Sequence, residues 1–157
     1  MTLGTILAIL GAVLAATLAG IGSAYGVRIT GQATAGVVAE KPELFGKLLV
    51  IEALPGTQGI YGFLVAVLIM VQIGVLGGAP AQLTVEQGLS FLGASMPIAV
   101  VGLLSAIYQG KTAVSAIHMT AKQPDASAKG ITMAAMVETY AILALLISIL
   151  LVFGIQI

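Results

Sequence analysis

The sequence predicts an all-α membrane protein: four transmembrane helices laid out as two tandem, parallel-repeated helical hairpins. Three observations carry this. Of 157 residues, 59% are hydrophobic and only 8% are charged, against roughly 25% charged residues in soluble domains. The apolar residues gather into four runs, and the runs of each half are joined by similar turns containing lysine and proline. The length accommodates four spans of about 20 residues with short connections, and no soluble catalytic domain beside them. The chain has no Cys and a single His118, which excludes disulfides, thiolate metal sites and a polyhistidine zinc site.

The first run, Leu3–Val38, opens without Lys or Arg between Met1 and Ala24. A secretory signal begins with a basic segment, so this stretch is expected to be a first span. It ends at Glu40-Lys41-Pro42-Glu43, where charge and proline together stop a helix. The second run, Phe45–Val75, is followed by Gly77-Gly78-Ala79-Pro80; the third, Leu89–Thr120, stops at Lys122-Gln123-Pro124-Asp125; the fourth is Ala128–Ile155. Each run is too long for a barrel strand and none alternates, so all are helices. The expected division is a first hairpin over 1–76, a linker over 77–84 on the outer side, and a second hairpin over 85–157. Arg28, Lys41, Lys47, Lys111, Lys122 and Lys129, all the basic residues, flank the first and third breaks. The positive-inside rule therefore places loops 40–43 and 122–125 in the cytoplasm and both termini outside.

Superposing the two turns so that Pro42 meets Pro124 aligns the halves as an internal repeat, with Glu138 falling on Gly56. Before the turns the register shifts by two, and Gly11, Ala15, Gly22 and Gly26 meet Ser95, Ala99, Ala106 and Gly110. The first helix of each copy thus carries a stripe of small residues, which lets backbones approach closely in lipid. The second helix of each copy is rich in Leu, Ile, Val and Phe. This fits a tight inner layer of first helices and a bulky outer layer of second helices, and equally an ordinary four-helix bundle with small residues at its contacts.

One carboxylate, Glu138, stands inside the otherwise apolar stretch Ile131–Ile157. Its distance from Lys129 is nine helical rises, roughly 13 Å, so it lies well within the bilayer. Holding it ionised costs on the order of 3 kcal/mol or more, which calls for a partner. On the second helix Leu54, Thr57, Gln58 and Tyr61 follow i, i+3, i+4, i+7 and share a face. Pro55 and Gly56 mark a kink that would free backbone carbonyls to act as ligands. Thr57 lies fifteen residues after Pro42, Gln109 fifteen before Pro124 and Glu138 fourteen after it. In antiparallel hairpins of similar pitch these groups share one depth. The donors are all oxygen, the set of a hard cation, and a single negative charge among neutral oxygens suits a monovalent ion. Tyr61 is placed to orient the carboxylate from behind. The competing reading is that Thr57, Gln58 and Gln109 only join helices, at about 0.6 kcal/mol each.

Other polar residues carry less. Glu52, within snorkelling range of Lys47, is weighed for a role in ion access. His118, Glu86 and Tyr140 read as interfacial or packing residues. The glycine-rich segment from Gly20 to Gly26 lies mid-helix with no strand before it, so it reads as helix packing rather than a phosphate loop. No nucleic-acid partner is expected.

Leu-Pro-Gly-Thr-Gln-Gly at 54–59, Tyr-Gln-Gly-Lys at 108–111 and Val-Glu-Thr-Tyr-Ala-Ile-Leu at 137–143, set in two tandem hairpins, resemble the proteolipid or K subunits of V-type rotary ATPases. The resemblance covers nearly the whole chain. It implies a non-catalytic rotor subunit of the cell membrane, assembled as a homo-oligomeric ring in membrane lipid, with ATP hydrolysis on partner subunits. The ring would turn against a stator membrane subunit and touch a central stalk. In sodium-transporting members the positions matching Leu54, Thr57, Gln58, Gln109 and Glu138 hold Na+, and the one matching Tyr61 supports the carboxylate. Glu52 departs from that pattern. A rotor that carries only H+, a self-contained secondary transporter and a purely structural or pore-forming proteolipid are the alternatives.

Overall fold

The computed structural model describes residues Met1–Ile157. Its helices are α1 (Leu3–Glu40), α2 (Phe45–Ala53), α3 (Thr57–Gln72), α4 (Val85–Lys122) and α5 (Ser127–Gly154). Short 3-10 turns at Pro42–Leu44, Leu54–Gly56 and Pro124–Ala126 precede α2, α3 and α5. The chain thereby makes four segments long and apolar enough to cross a membrane: α1, the broken pair α2 and α3, α4, and α5. α1 and α4 have 38 residues each, about 57 Å at 1.5 Å per residue. That exceeds a hydrocarbon core of about 30 Å, so both project beyond it.

Both lysine turns share one conformation, as the internal repeat requires. Lys41 (φ −135°, ψ 72°) and Gln123 (φ −136°, ψ 88°) each leave the helix and donate N–H to Val37 and Met119 at 2.8 Å. The proline that follows cannot continue the previous helix but suits the first position of the next turn. Lys41 Nζ donates to the Ala121 carbonyl and Lys47 Nζ to that of Pro124 at 3.1 Å, satisfying acceptors at and just beyond the C-terminus of α4, where cations are favoured. Lys47 is therefore engaged with the second hairpin and not with Glu52.

At the opposite end, α4 begins at Val85, four residues before the expected Leu89. The reason is a capping box: Thr84 Oγ1 accepts the Gln87 N–H at 3.2 Å and Gln87 Oε1 accepts the Thr84 N–H at 2.9 Å. α3 ends at Gln72, where Gly74 (φ +74°) turns the chain out, a conformation glycine adopts without strain. The connection that follows is tied to α1 by Thr5 Oγ1 on the Ala81 carbonyl (2.8 Å) and Thr2 Oγ1 on that of Leu83 (2.7 Å).

α1 and α4 lie side by side through their small residues, and α3 and α5 stand behind them. A Cβ added at Gly22 would come within 2.7 Å of Leu103 Cα, and one at Gly110 within 2.7 Å of Gly26 Cα. With no hydrophobic drive between helices in lipid, such close approach is what holds spans together. Gly26 touches Gly110, and Gly11 stands beside Ser95, so equivalent positions of the two repeats meet at equal depth. The apolar core is in two pieces. One, with Phe91, Ile98, Val65 and Ile69, fills the half beside the chain termini; the other, with Leu48, Ile51, Ala113 and Ile117, fills the half beside the lysine turns. The layer between them is polar.

Candidate ion site

Pro55 has no N–H for the Ile51 carbonyl, and the chain passes through a 3-10 turn from Leu54 to Gly56 before α3 begins at Thr57. The Gly59 N–H, which a regular helix would give to Pro55, goes instead to Ser23 Oγ on α1 at 2.7 Å. This break aims the first turn of α3 at α4 and α5. The kink does not leave the Leu54 carbonyl bare, as expected from the sequence. It accepts the Thr57 N–H and, at 3.0 Å, the Thr57 hydroxyl.

The residues counted to one depth do meet. Glu138 on α5 is buried, at 9% exposure, and Gln58 and Gln109 are wholly so. Tyr61 donates its hydroxyl to Glu138 Oε1 at 2.6 Å, and Gln109 Nε2 donates to Oε2 at 3.2 Å. Gln58 Nε2 donates to Gln109 Oε1 and, at 3.3 Å, to Ser105 Oγ. Each carboxylate oxygen thus has a donor, which is the condition for tolerating its charge in low dielectric.

On the other side of the network the oxygens crowd together. Thr57 Oγ1 stands 3.0 Å from the Leu54 carbonyl and 3.4 Å from Gln58 Oε1. Both are hydrogen-bond contacts of the one hydroxyl, and they bring three oxygens, the donor type of a hard cation, to one place. Gln109 differs from its expected part: it turns its amide nitrogen, not its oxygen, to Glu138. Presenting the oxygen requires a turn about its last torsion, which is broad and roughly two-fold for an amide.

Two hydroxyls belong to the network without having been singled out from the sequence. Ser105, one turn before Gln109 on α4, links Gln58 to the Val137 carbonyl (3.1 Å), and Ser23 holds the break at Gly59. Both sit in stripes of small residues, where a serine looks like a spacer; the i, i+4 relation of Ser105 to Gln109 was the available signal. Glu86, His118 and Tyr140 lie exposed, and none of them hydrogen-bonds to Glu138, which pairs with Tyr61 and Gln109. No cluster of three His, Cys, Asp or Glu exists, so a cation held here has one carboxylate and neutral oxygens.

The family model for the C subunit of ATP synthase matches the chain twice, over residues 10–69 and 92–151. The chain is 50% identical to the V-type sodium ATPase subunit K of Enterococcus hirae over 149 residues, 95% of this chain and 92% of that one. It is 47% identical to the A-type ATP synthase subunit K of Methanocaldococcus jannaschii over 143 residues, 91% of this chain and 61% of the longer relative. With the V-type proton ATPase 16 kDa proteolipid of Nephrops norvegicus it shares 32% over 116 residues, 74% of this chain and 70% of that one.

Proposed function

Because the chain belongs to the family of the ATP synthase C subunit, we propose that it is the membrane rotor subunit of a V-type rotary ATPase and that it carries Na+ on Glu138. The observation that bears most on this is the buried Glu138 carboxylate, served by Tyr61 and Gln109 and set beside the oxygens of Thr57, Gln58 and Leu54. A group that only carried a proton would need no such oxygens. The E. hirae relative of 50% identity is a sodium ATPase subunit, which supports the same choice over H+.

The ion replaces donors with its own charge. On entering, it takes Glu138 as counter-charge, the Thr57 hydroxyl turns its proton away from the Leu54 carbonyl, and the Gln109 amide reverses to offer its oxygen, so that Gln58 Nε2 gives up that acceptor and keeps Ser105 Oγ. Tyr61 keeps its hydrogen bond and holds the carboxylate in place. Ion-filled, the layer is neutral and can face lipid as the ring turns. At the stator, one half-channel loads Glu138 and another empties it, so no continuous pore exists. ATP chemistry belongs to the partner subunits.

Gly56 occupies the repeat position of Glu138, and its lack of a side chain leaves one carboxylate for four spans. The purified protein is expected to be a closed ring by native mass, binding one Na+ per chain. A monomer or dimer would point to a secondary transporter, and two tight ions per chain would refute the single-site reading.

Orientation follows from the lysine turns: loops 40–43 and 122–125 face the cytoplasm and the central stalk, with both termini outside. The natural chain has no cysteine, so Ser127→Cys supplies a single reporter. It is expected to react with a membrane-impermeant thiol reagent in inside-out vesicles and not in intact cells; labelling only in intact cells would invert the topology.

A further inference from the structure

We propose that neighbouring copies in the ring are joined by an ion pair between Glu52 of one copy and Lys111 of the next. This rests on the reading of the chain as a ring subunit. Glu52 is half-buried on α2, with Oε1 at 3.2 Å from where a Gly31 Cβ would stand on α1. Its main-chain carbonyl accepts the Thr30 hydroxyl at 3.1 Å, but its carboxylate receives no donor from its own chain. Lys47, the partner its position suggests, is turned to the Pro124 carbonyl. A carboxylate at such a site needs a cation from elsewhere.

The protomer has two unlike edges. One is formed by α1 with α2 and α3, the other by α4 with α5. Glu52 lies on the first edge, turned away from Gln58, which faces α4; Phe63, three turns further along the same span, is 62% exposed there. The second edge exposes Leu104 (44%) and Tyr108 (54%) on α4, and one turn on from Tyr108 stands the exposed Lys111. Lys111 Nζ rests only over the Tyr108 ring, 5.8 Å from its centre. An unpaired anion on one edge and an unpaired cation on the other is the complementarity a head-to-tail contact between copies requires.

Their depths agree. Gly110 touches Gly26, which sets Lys111 level with Val27, while Glu52 lies against Gly31. The offset is four residues, about 6 Å of rise, which the four-carbon stem of a lysine spans. Arg28 stands on the same edge as Glu52, with its guanidinium 5.6 Å from the centre of the Tyr25 ring, and is the one other cation near enough to compete for the carboxylate.

The test uses the full chain, which offers no cysteine of its own. E52C together with K111C, treated in the purified ring with a homobifunctional maleimide long enough to replace both side chains, is expected to give a ladder of crosslinked oligomers on a denaturing gel, while either single variant stays monomeric. An intact ring by native mass with only monomer bands would overturn the pairing and leave the ring reading standing; absence of a ring in the natural protein would overturn both. A charge swap covers poor folding of the cysteine variants. E52K and K111E should each lower the temperature at which the ring dissociates in detergent by several degrees, and the double variant should restore it. Additive losses in the double variant, or the same rescue obtained by changing Arg28 in place of Lys111, would refute the assignment.

Discussion

Glu138→Gln is expected to abolish sodium transport by the assembled complex while leaving the ring intact. The amide has the size of the carboxylate, so Tyr61 still has an oxygen to donate to at the place where it now meets Glu138 Oε1 at 2.6 Å. What disappears is the charge. Opposite unit charges about 2.4 Å apart attract by roughly 7 kcal/mol at an effective dielectric near 20, and that attraction offsets the loss of the ion's hydration. With 1.4 kcal/mol per tenfold, sodium affinity falls a thousandfold or more, far beyond what the neutral oxygens recover. The measurement is sodium uptake into vesicles carrying the complete ATPase, together with native mass of the purified ring. Uptake above a tenth of the natural level in an intact ring would show that the ion does not depend on Glu138.

The depth of the site was legible in the sequence for a mechanical reason. Helix rise is constant and the two lysine turns have one conformation, so counting from Pro42 and Pro124 brings Thr57, Gln109 and Glu138 to a common layer. The same-face spacing of Thr57, Gln58 and Tyr61 survives because the 3-10 turn at Leu54–Gly56 ends before Thr57. Where a side chain's partner decides its direction, the sequence is mute. Nothing in the spacing says that Thr57 returns its hydroxyl to Leu54, that Gln109 offers nitrogen to Glu138, or that Lys47 prefers the Pro124 carbonyl to Glu52. The early start of α4 was hidden because Glu86 and Gln87 interrupt the apolar run, although Gln87 is the residue that closes the cap on Thr84. The layering was open to two readings, and the glycine contacts fit both: Gly22 and Gly26 take the α4 backbone itself as neighbour, as a tight inner layer requires and as a bundle with small residues at its contacts also allows.

Sodium is expected to protect Glu138 from a carbodiimide, because the reagent attacks the protonated acid and a bound cation holds the acid ionised. Proton and sodium compete for one carboxylate, so lowering pH speeds labelling. Where the proton occupies most sites, each unit of pH removed raises the sodium needed for half-protection by about tenfold, since one proton is exchanged per ion. Thr57→Ala removes a hydroxyl from the oxygen cluster but keeps the backbone N–H that bonds the Leu54 carbonyl, so the turn survives and the change reads out coordination. Losing one such group costs about 1–3 kcal/mol, and half-protection should require about ten to a hundred times more sodium. Gln58→Leu should weaken protection at least as much, because it removes the Gln58 oxygen from the cluster and also leaves Ser105 Oγ without its donor. In both variants the ring should keep its natural mass, since neither residue belongs to the glycine contacts between α1 and α4. Labelling of Glu138 at a rate indifferent to millimolar sodium near neutral pH would mean that the proton is the only ion carried.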